Sequence, residues 1–149
     1  MQDKIDLLVD SDGDLVIDDT GDLDTATPLQ TVQQDVSFRA TTGHFDYAPD
    51  PYIGANLASY RGKPNTRRTG DYMKADLFEA LTKDGRFSRS TIVVDCVPVS
   101  KTRVALPVLL RETILGTEDE MATRTAVPVV TITVDFTTSQ ITSIAGGLR

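Results

Sequence analysis

The sequence predicts an α+β fold in which a small N-terminal hairpin and three helices precede a mainly antiparallel sheet. Apolar residues alternate with polar ones around Asp12-Gly13, recur at helical spacing in the middle of the chain, and alternate again towards its end. Helices and strands that are segregated along a chain in this way are typical of α+β proteins. We therefore expect a single domain over residues 1–149. Its expected parts are a hairpin and turn (1–27), a helical part (28–85) and a sheet part (89–149).

The N-terminal segment is predicted to be a hairpin. Ile5, Leu7 and Val9 alternate with polar residues, as do Leu15 and Ile17, and Asp12-Gly13 lies between the two runs. An Asp-Gly pair between alternating runs is the usual signal of a tight turn. Residues 18–21 predict a further turn, and no internal repeat is evident. Because a lone hairpin is marginally stable, we expect this one to pack on another element.

The first helix has the clearest signals at its ends. Leu29, Val32, Val36 and Ala40 share one face, Thr27 can cap the first turn, and Pro28 suits the first helical position. Gln30 stands where a capping box places its second member. Gly43 is predicted to stop this helix.

Two further helices are predicted in the helical part. Asp50-Pro51 is expected to begin a short helix that carries Ile53, Leu57 and Tyr60 on one side. Residues 61–70 are rich in Arg, Gly, Pro and Asn and predict an exposed loop. A third helix is expected from about Asp71 to Asp84, ended by Gly85.

The sheet part begins after Arg89. Residues 92–97 are apolar on both faces, which predicts a strand covered on both. Residues 104–110 alternate in the next strand, and a polar segment, Glu112 to Thr125, predicts a loop or one helical turn. Val130, Ile132, Val134 and Phe136 then predict a long strand, and residues 140–144 a short return strand. Pro98 and Pro107 cannot donate to a ladder, so we expect them at strand ends, edges or bulges.

Composition and charge exclude several classes of protein. The 149 residues are 40% hydrophobic and carry a formal net charge of −7, which disfavours binding to nucleic acid or to anionic membranes. No apolar stretch approaches the roughly 20 residues of a membrane helix, and the first residues do not resemble a signal peptide. We therefore expect synthesis in the cytoplasm. Cys96 is the only cysteine, so no internal disulfide can form, and we expect a buried, inert thiol.

The sequence offers three chemical interpretations: a zinc or nucleophilic site, a calcium loop and a glycosidase site. With one histidine, His44, and one cysteine, the usual structural zinc sites are excluded, and no GxSxG motif is present. Asp10, Asp12 and Asp14 with Gly13 suggest a calcium-binding module, but the glycine stands two residues too early for an EF-hand loop. A glycosidase needs two carboxylates in an apolar cleft, and this chain has no Trp to line one. We predict no catalytic residue, no metal ligand and no cofactor.

Three aromatic residues, Phe45, Tyr47 and Tyr52, flank a turn that is rich in Asp and Pro. Their rings either fold down as a lid on the helices or stand out as anchors for a partner. Aromatic residues are enriched at the centres of interfaces. They are therefore candidate partner-binding residues.

Four short motifs together carry a family resemblance. They are Gly21-Asp22-Leu23, the VQQDV run at residues 32–36, Thr41-Thr42-Gly43, and the PxxG run at residues 51–54. In this order they resemble the small baseplate wedge proteins, or sheath initiators, of contractile-tailed phages, a family that carries an old lysozyme-like label. The Glu-Pro-Arg tripeptide that the family often has is absent from this sequence.

The resemblance implies a non-enzymatic virion protein of the tail baseplate. Such a subunit links wedge subunits to the tail tube and the first sheath ring, in multiple copies around a symmetric ring. Its expected partners are other wedge proteins, the tail sheath and proteins next to the tail tube. A terminal strand can complete a partner's sheet, so we expect Val130, Ile132, Val134 and Phe136, or the return strand after them, to lie against another subunit. The alternatives are a cell-wall glycosidase and a small calcium-binding module.

Overall fold

The computed structural model describes residues 5–111, 126–138 and 140–145. The elements in chain order are β1 (Asp6–Leu7), β2 (Thr25–Ala26), α1 (Pro28–Thr41), a 3-10 turn (Leu57–Tyr60), α2 (Arg67–Thr82), β3 (Ile92–Val94), β4 (Val97–Pro98), β5 (Arg103–Arg111), β6 (Ala126–Asp135) and β7 (Ile141–Ala145). The predicted α+β class and antiparallel sheet are confirmed. The loop predicted over Glu112 to Thr125 lies outside the described residues.

The main sheet has five antiparallel strands. β5 lies between β6 and the two short strands β3 and β4, and β7 pairs with the other side of β6. A register shift between Val108 and Leu109 marks a bulge one residue after Pro107, and Pro98 ends the edge strand β4. Both prolines therefore lie where a missing N–H is tolerated, as predicted.

The core lies between the two helices and one face of this sheet. From α2, Met73, Leu77 and Leu81 are fully buried, and they belong to one core cluster with inward side chains of β5 and β6, such as Leu106 and Ile132. The prediction that residues 92–97 are covered on both faces is wrong. On the face of the sheet away from the core, Val93 is only half-buried and Val97 is exposed. Burial of one face is the usual arrangement of an antiparallel sheet.

The first helix forms as predicted. Gln30 donates its backbone N–H to the Thr27 hydroxyl at 3.3 Å, and the Gln30 side chain accepts the Thr27 N–H at 2.9 Å, which completes the capping box. Val36 and Ala40 are buried, whereas Leu29 and Val32 pack at the edge of the core. The helix ends at Thr41, two residues before the predicted glycine stop.

The predicted second helix is wrong. The Tyr52 N–H binds the Asp50 carboxylate, and Asn56 adopts the left-handed conformation at φ 53°, so the chain turns and only a 3-10 turn forms afterwards. The third helix starts earlier than predicted, at Arg67, because the Thr66 hydroxyl accepts the Thr69 N–H and caps it. Its end before Gly85, at φ 77°, agrees with the prediction.

Residues 5–26, the N-terminal module, form three short limbs instead of a two-stranded hairpin. Three backbone hydrogen bonds close a triangle: Leu8 N–H to Asp24 O, Asp24 N–H to Val16 O, and Val16 N–H to Leu8 O, at 2.9 to 3.0 Å. Two matching turns, at residues 10–14 and 18–22, join the limbs, and each uses the same pattern of backbone bonds. The runs VDSDGDL and IDDTGDL, eight residues apart, are thus a short repeat that the sequence analysis missed.

Gln34 attaches the module to α1. Its amide nitrogen donates to Leu7 O at 3.1 Å, and its amide oxygen accepts the Val9 N–H at 2.9 Å. The side chain therefore binds the backbone of the first limb in the same way as a neighbouring strand would. This packing on α1 agrees with the expectation that the segment needs a support.

Candidate functional site

The aromatic loop, residues 43–56, follows the end of α1, and several hydrogen bonds hold it together and join it back to that helix. Gly43 N–H donates to the Asp46 carboxylate at 2.8 Å, and Phe45 N–H donates to Pro51 O at 2.7 Å. The loop is tied back where Ala55 N–H donates to Arg39 O at 2.8 Å. Both ends of the loop are therefore anchored to the same helix.

Glycines allow the loop to approach the helix end closely. A Cβ on Gly54 would overlap the carbonyl group of Thr42, and one on Gly43 would lie 2.8 Å from an Asp46 carboxylate oxygen. Gly43 therefore makes room for the Asp46 side chain and does not act as a left-handed helix stop. The packing of the loop, and not the helix cap, requires these glycines.

The aromatic rings stand outside the core. Phe45 is 69% exposed and Tyr52 is 55% exposed, and Tyr47 and Phe38 are also exposed. The rings contact one another: Phe45 and His44 each lie 5.2 Å from Tyr52 between ring centroids, and Phe38 lies 6.1 Å from Tyr47, all edge to face. Of the two interpretations of these residues, this arrangement matches exposed anchors and not a lid over the helices.

Phe45 has an unusual backbone conformation. Its φ of 70° lies in the left-handed region, which costs a bulky residue roughly 1–2 kcal/mol. The hydrogen bond from its N–H to Pro51 O holds it there. Strain kept in a surface loop is often found where a side chain must be presented to a ligand or partner.

A pocket of about 310 Å³ lies beside these rings, between the loop and α2. His44 and Tyr52 form one wall, and Asp76, Glu79 and Lys83 of the α2 region form the other. The Lys83 ammonium group contacts the Tyr52 carbonyl oxygen and so ties the two walls together. The sequence alone does not indicate this pocket, because its walls are far apart along the chain.

The two carboxylates of the pocket do not form the desolvated pair that a glycosidase needs. Glu79 is 59% exposed and pairs with Arg89 at 2.7 Å, and Asp76 is exposed at the pocket edge. The Tyr60 hydroxyl donates to Asp76 at 2.5 Å. Burial, followed by this hydrogen bond, raises the pKa of Tyr60 well above its ordinary value, so it remains a donor. A general acid would instead need a carboxyl group shielded from water.

The other predicted partner-binding residues lie elsewhere. Val130, Ile132, Val134 and Phe136 are all buried in the chain's own core. β6 also has β5 on one side and β7 on the other, so it offers no free edge. These four side chains are therefore not a contact surface in this structure. The return strand β7, the alternative in the same hypothesis, lies at the sheet edge with Ile144 exposed.

The groups considered for metal binding or nucleophilic chemistry are dispersed. One carboxylate oxygen of Asp10 accepts the N–H groups of Asp12 and Asp14, so it serves the turn. In the part of the chain that the structure describes, no group of three His, Cys, Asp or Glu is placed to hold a metal ion. Cys96 is half-buried, less than predicted, and burial and the neighbouring Asp95 raise its pKa, which favours the unreactive thiol.

No helix within the described ranges has the length and apolar character to cross a membrane. Comparison of the chain with protein-family models, with curated proteins and with solved structures found no match. The resemblance to baseplate wedge proteins thus rests on the four sequence motifs. Two of those motifs, at residues 41–43 and 51–54, meet at the junction of α1 and the aromatic loop, where Gly54 lies close to the Thr42 carbonyl group. The motif at residues 32–36 lies within α1.

Proposed function

We propose that this protein is a non-enzymatic structural subunit of a contractile phage tail baseplate, and that the aromatic loop is one of its contacts with a neighbouring subunit. The observation that carries the proposal is the exposed, mutually packed set of rings in a loop fixed by backbone hydrogen bonds. The assembly named in this proposal, a contractile tail baseplate, is taken from the resemblance in sequence motifs.

Preorganisation of the aromatic loop supports this proposal. Aromatic rings bury a large apolar area on binding, and a loop that is already ordered loses little entropy when a partner covers it. Phe45 and Tyr52 supply that area, and the hydrogen bonds of Gly43, Phe45 and Ala55 supply the order. In this proposal the protein connects wedge subunits to the tail tube and the first sheath ring by offering shape alone.

The test is incorporation into tails. Phe45→Ser combined with Tyr52→Ser is expected to leave the fold intact, because both rings are exposed, and to reduce the amount of the protein in purified tail particles at least about tenfold. Tyr72→Ser is the matched control, since Tyr72 is 51% exposed but lies on α2 outside the loop. Protein content is measured by mass spectrometry of particles from a phage that carries each variant.

Two results would contradict the proposal. Normal incorporation of the double variant would remove the aromatic loop as a contact. Lysis of cell walls by the pure protein, if it were lost in an Asp76→Asn or Glu79→Gln variant, would support the glycosidase alternative instead of a purely structural role.

A further inference from the structure

The N-terminal module carries a second surface that the aromatic loop does not include. In the module, Val9 lies opposite Leu15, Ile17 lies opposite Leu23, and Leu7 lies opposite Thr25. Residues paired across neighbouring strands point to the same side, as do alternate residues along one strand. We call this side of the module the apolar face. Its aliphatic residues are Leu7, Val9, Leu15, Ile17 and Leu23, and Ile5 continues the alternation.

Most of this face is open to solvent. Ile5 is 84% exposed, Ile17 is 65% and Leu15 is 51%, and Leu7 and Leu23 are also exposed. Single exposed aliphatic residues are ordinary, but five in a module of this size form one contiguous layer. Such a layer marks an interaction surface.

The charge around the face indicates what kind of partner fits. Residues 5–26 contain eight Asp and no Lys, Arg or His, which is a charge of −8 against −7 for the whole chain, so the remaining residues carry a net +1. The Asp residues of both turns are exposed. Within the described ranges, none of them forms an ion pair with Lys or Arg. The apolar face therefore has an uncompensated acidic rim.

We infer that the apolar face docks on a different protein, one whose own apolar surface is bordered by Lys and Arg side chains. Complementary charge at the rim favours such a partner and repels acidic ones. A second copy of this chain would bring the same exposed Asp residues of the two turns to the contact, and like charges placed face to face oppose association. This inference goes beyond the proposed function, because it holds for any assembly that contains such a partner.

The test uses short labelled peptides as probes, with a chelator present. One peptide alternates leucine with lysine, one alternates leucine with glutamate, and one alternates serine with lysine. We expect the leucine–lysine peptide to bind, with an affinity that falls as salt is added, and the other two to bind at least about tenfold more weakly. Fluorescence anisotropy measures each dissociation constant.

Two sets of variants separate the apolar and acidic contributions. Leu15→Ser with Ile17→Ser is expected to weaken the leucine–lysine peptide about tenfold or more, because both side chains lose most of the area they would bury. Asp12→Asn with Asp19→Asn is expected to reduce the salt dependence. No hydrogen bond of either turn uses these two carboxylates, so the module keeps its fold. Val99→Ser and Asp71→Asn, exposed sites elsewhere, are the matched controls.

Several outcomes would overturn the inference. They are no binding of the leucine–lysine peptide at low salt, equal binding of the leucine–glutamate peptide, or binding that neither variant set alters. Sedimentation that shows self-association, lost in the Leu15→Ser and Ile17→Ser variant, would assign the face to a second copy. Normal tail incorporation of the aromatic-loop variant would contradict the proposed function, and continued binding of the leucine–lysine peptide would still support this inference.

Discussion

The N-terminal module and the helix–sheet body that follows it are held together by different forces. None of the residues 5–26 is fully buried, and the module folds around a triangle of backbone hydrogen bonds and two Asp-anchored turns. Among the residues that the structure describes, the hydrophobic core consists of side chains of the body, from Val36 to Phe136. The charge divides in the same way, because the module carries −8 and the rest of the chain is nearly neutral.

The difference shows how one chain can combine a stable scaffold with exposed binding surface. Apolar burial in the body supplies the free energy of folding. The module contributes little to that free energy, so its aliphatic side chains remain available for a partner. If this division is correct, the same substitution should have very different effects in the two regions.

The largest difference is expected for leucine truncation. Leu77→Ala removes a fully buried side chain from α2 and should lower the free energy of unfolding by about 2–5 kcal/mol. Leu15→Ala removes the same atoms from the exposed face of the module and should change the free energy of unfolding by less than about 0.5 kcal/mol. Urea unfolding monitored by circular dichroism measures both. Similar losses for the two variants would show that the module is part of the cooperative core.

A smaller difference is expected for glycine substitution. Gly54→Ala would place a Cβ against the Thr42 carbonyl group, and since backbone must move, it should cost about 1–3 kcal/mol of global stability. Gly13→Ala meets no neighbouring atom but forces alanine to φ 92°, so its cost of roughly 1–2 kcal/mol should stay local to the first turn.

Thermal melting and amide hydrogen exchange together check this pair. Gly54→Ala should lower the melting temperature, and Gly13→Ala should leave it nearly unchanged while it speeds exchange at the amide groups of residues 12–16. If Gly13→Ala lowers the melting temperature as much as Gly54→Ala does, the module contributes to global stability and the proposed division between module and body is wrong.

A third prediction concerns the attachment between the two regions. Gln34→Ala removes the side chain that binds Leu7 O and the Val9 N–H, and should cost about 1–2 kcal/mol in protection of the Val9 amide. Ser37→Ala, also on α1, is the control for a change in the helix itself. We expect hydrogen exchange to rise at Val9 and not in β6. If the protection of β6 falls equally, the module and the body unfold together.

The sequence was most informative where a local rule decides the structure. The capping box of Thr27 and Gln30, the turn at Gly85 and the alternation in β5 and β6 depend on near neighbours, and all were predicted. The second helix was mispredicted because Asp50 uses its side chain to bind the Tyr52 N–H, which competes with the helix. A Pro after Asp suits a turn as well as it suits a helix start.

The candidate site was predictable only in part. Phe45, Tyr47 and Tyr52 were found from their composition, but their exposure depends on contacts between residues distant in the sequence, such as Ala55 N–H to Arg39 O. Periodicity also could not distinguish a central strand from an edge strand, so the prediction named both β6 and the return strand β7 as contacts, although only β7 of the two lies at an edge. The eight-residue spacing of the two Asp-Gly turns was the signal that could have identified the triangular module.

The smallest expected difference is in the loss of stability at low pH. It is tested by comparing one carboxylate from each region, Asp135 of the body and Asp18 of the module. The Thr137 hydroxyl, followed by the Arg103 guanidinium, holds the pKa of Asp135 well below its ordinary value, and the Thr20 hydroxyl with backbone N–H groups lowers the pKa of Asp18. A depressed pKa stabilises the fold above the unfolded-state pKa of about 3.9, and this contribution is lost as the pH falls further.

Protonation of only one of these two carboxylates, Asp135, should lower the stability of the whole fold. Asp135 is 7% exposed and joins Arg103 of β5 to the turn after β6, so its protonation weakens the sheet. Asp18 is fully exposed in the module, so its protonation should loosen one turn. Asp135→Asn is therefore expected to reduce the drop in melting temperature between about pH 5 and pH 2, and Asp18→Asn to leave that drop unchanged. An equal effect of the two substitutions would mean that the module's turns contribute to the stability of the whole chain, and its apolar face would then be part of a cooperative fold instead of a surface kept free for a partner.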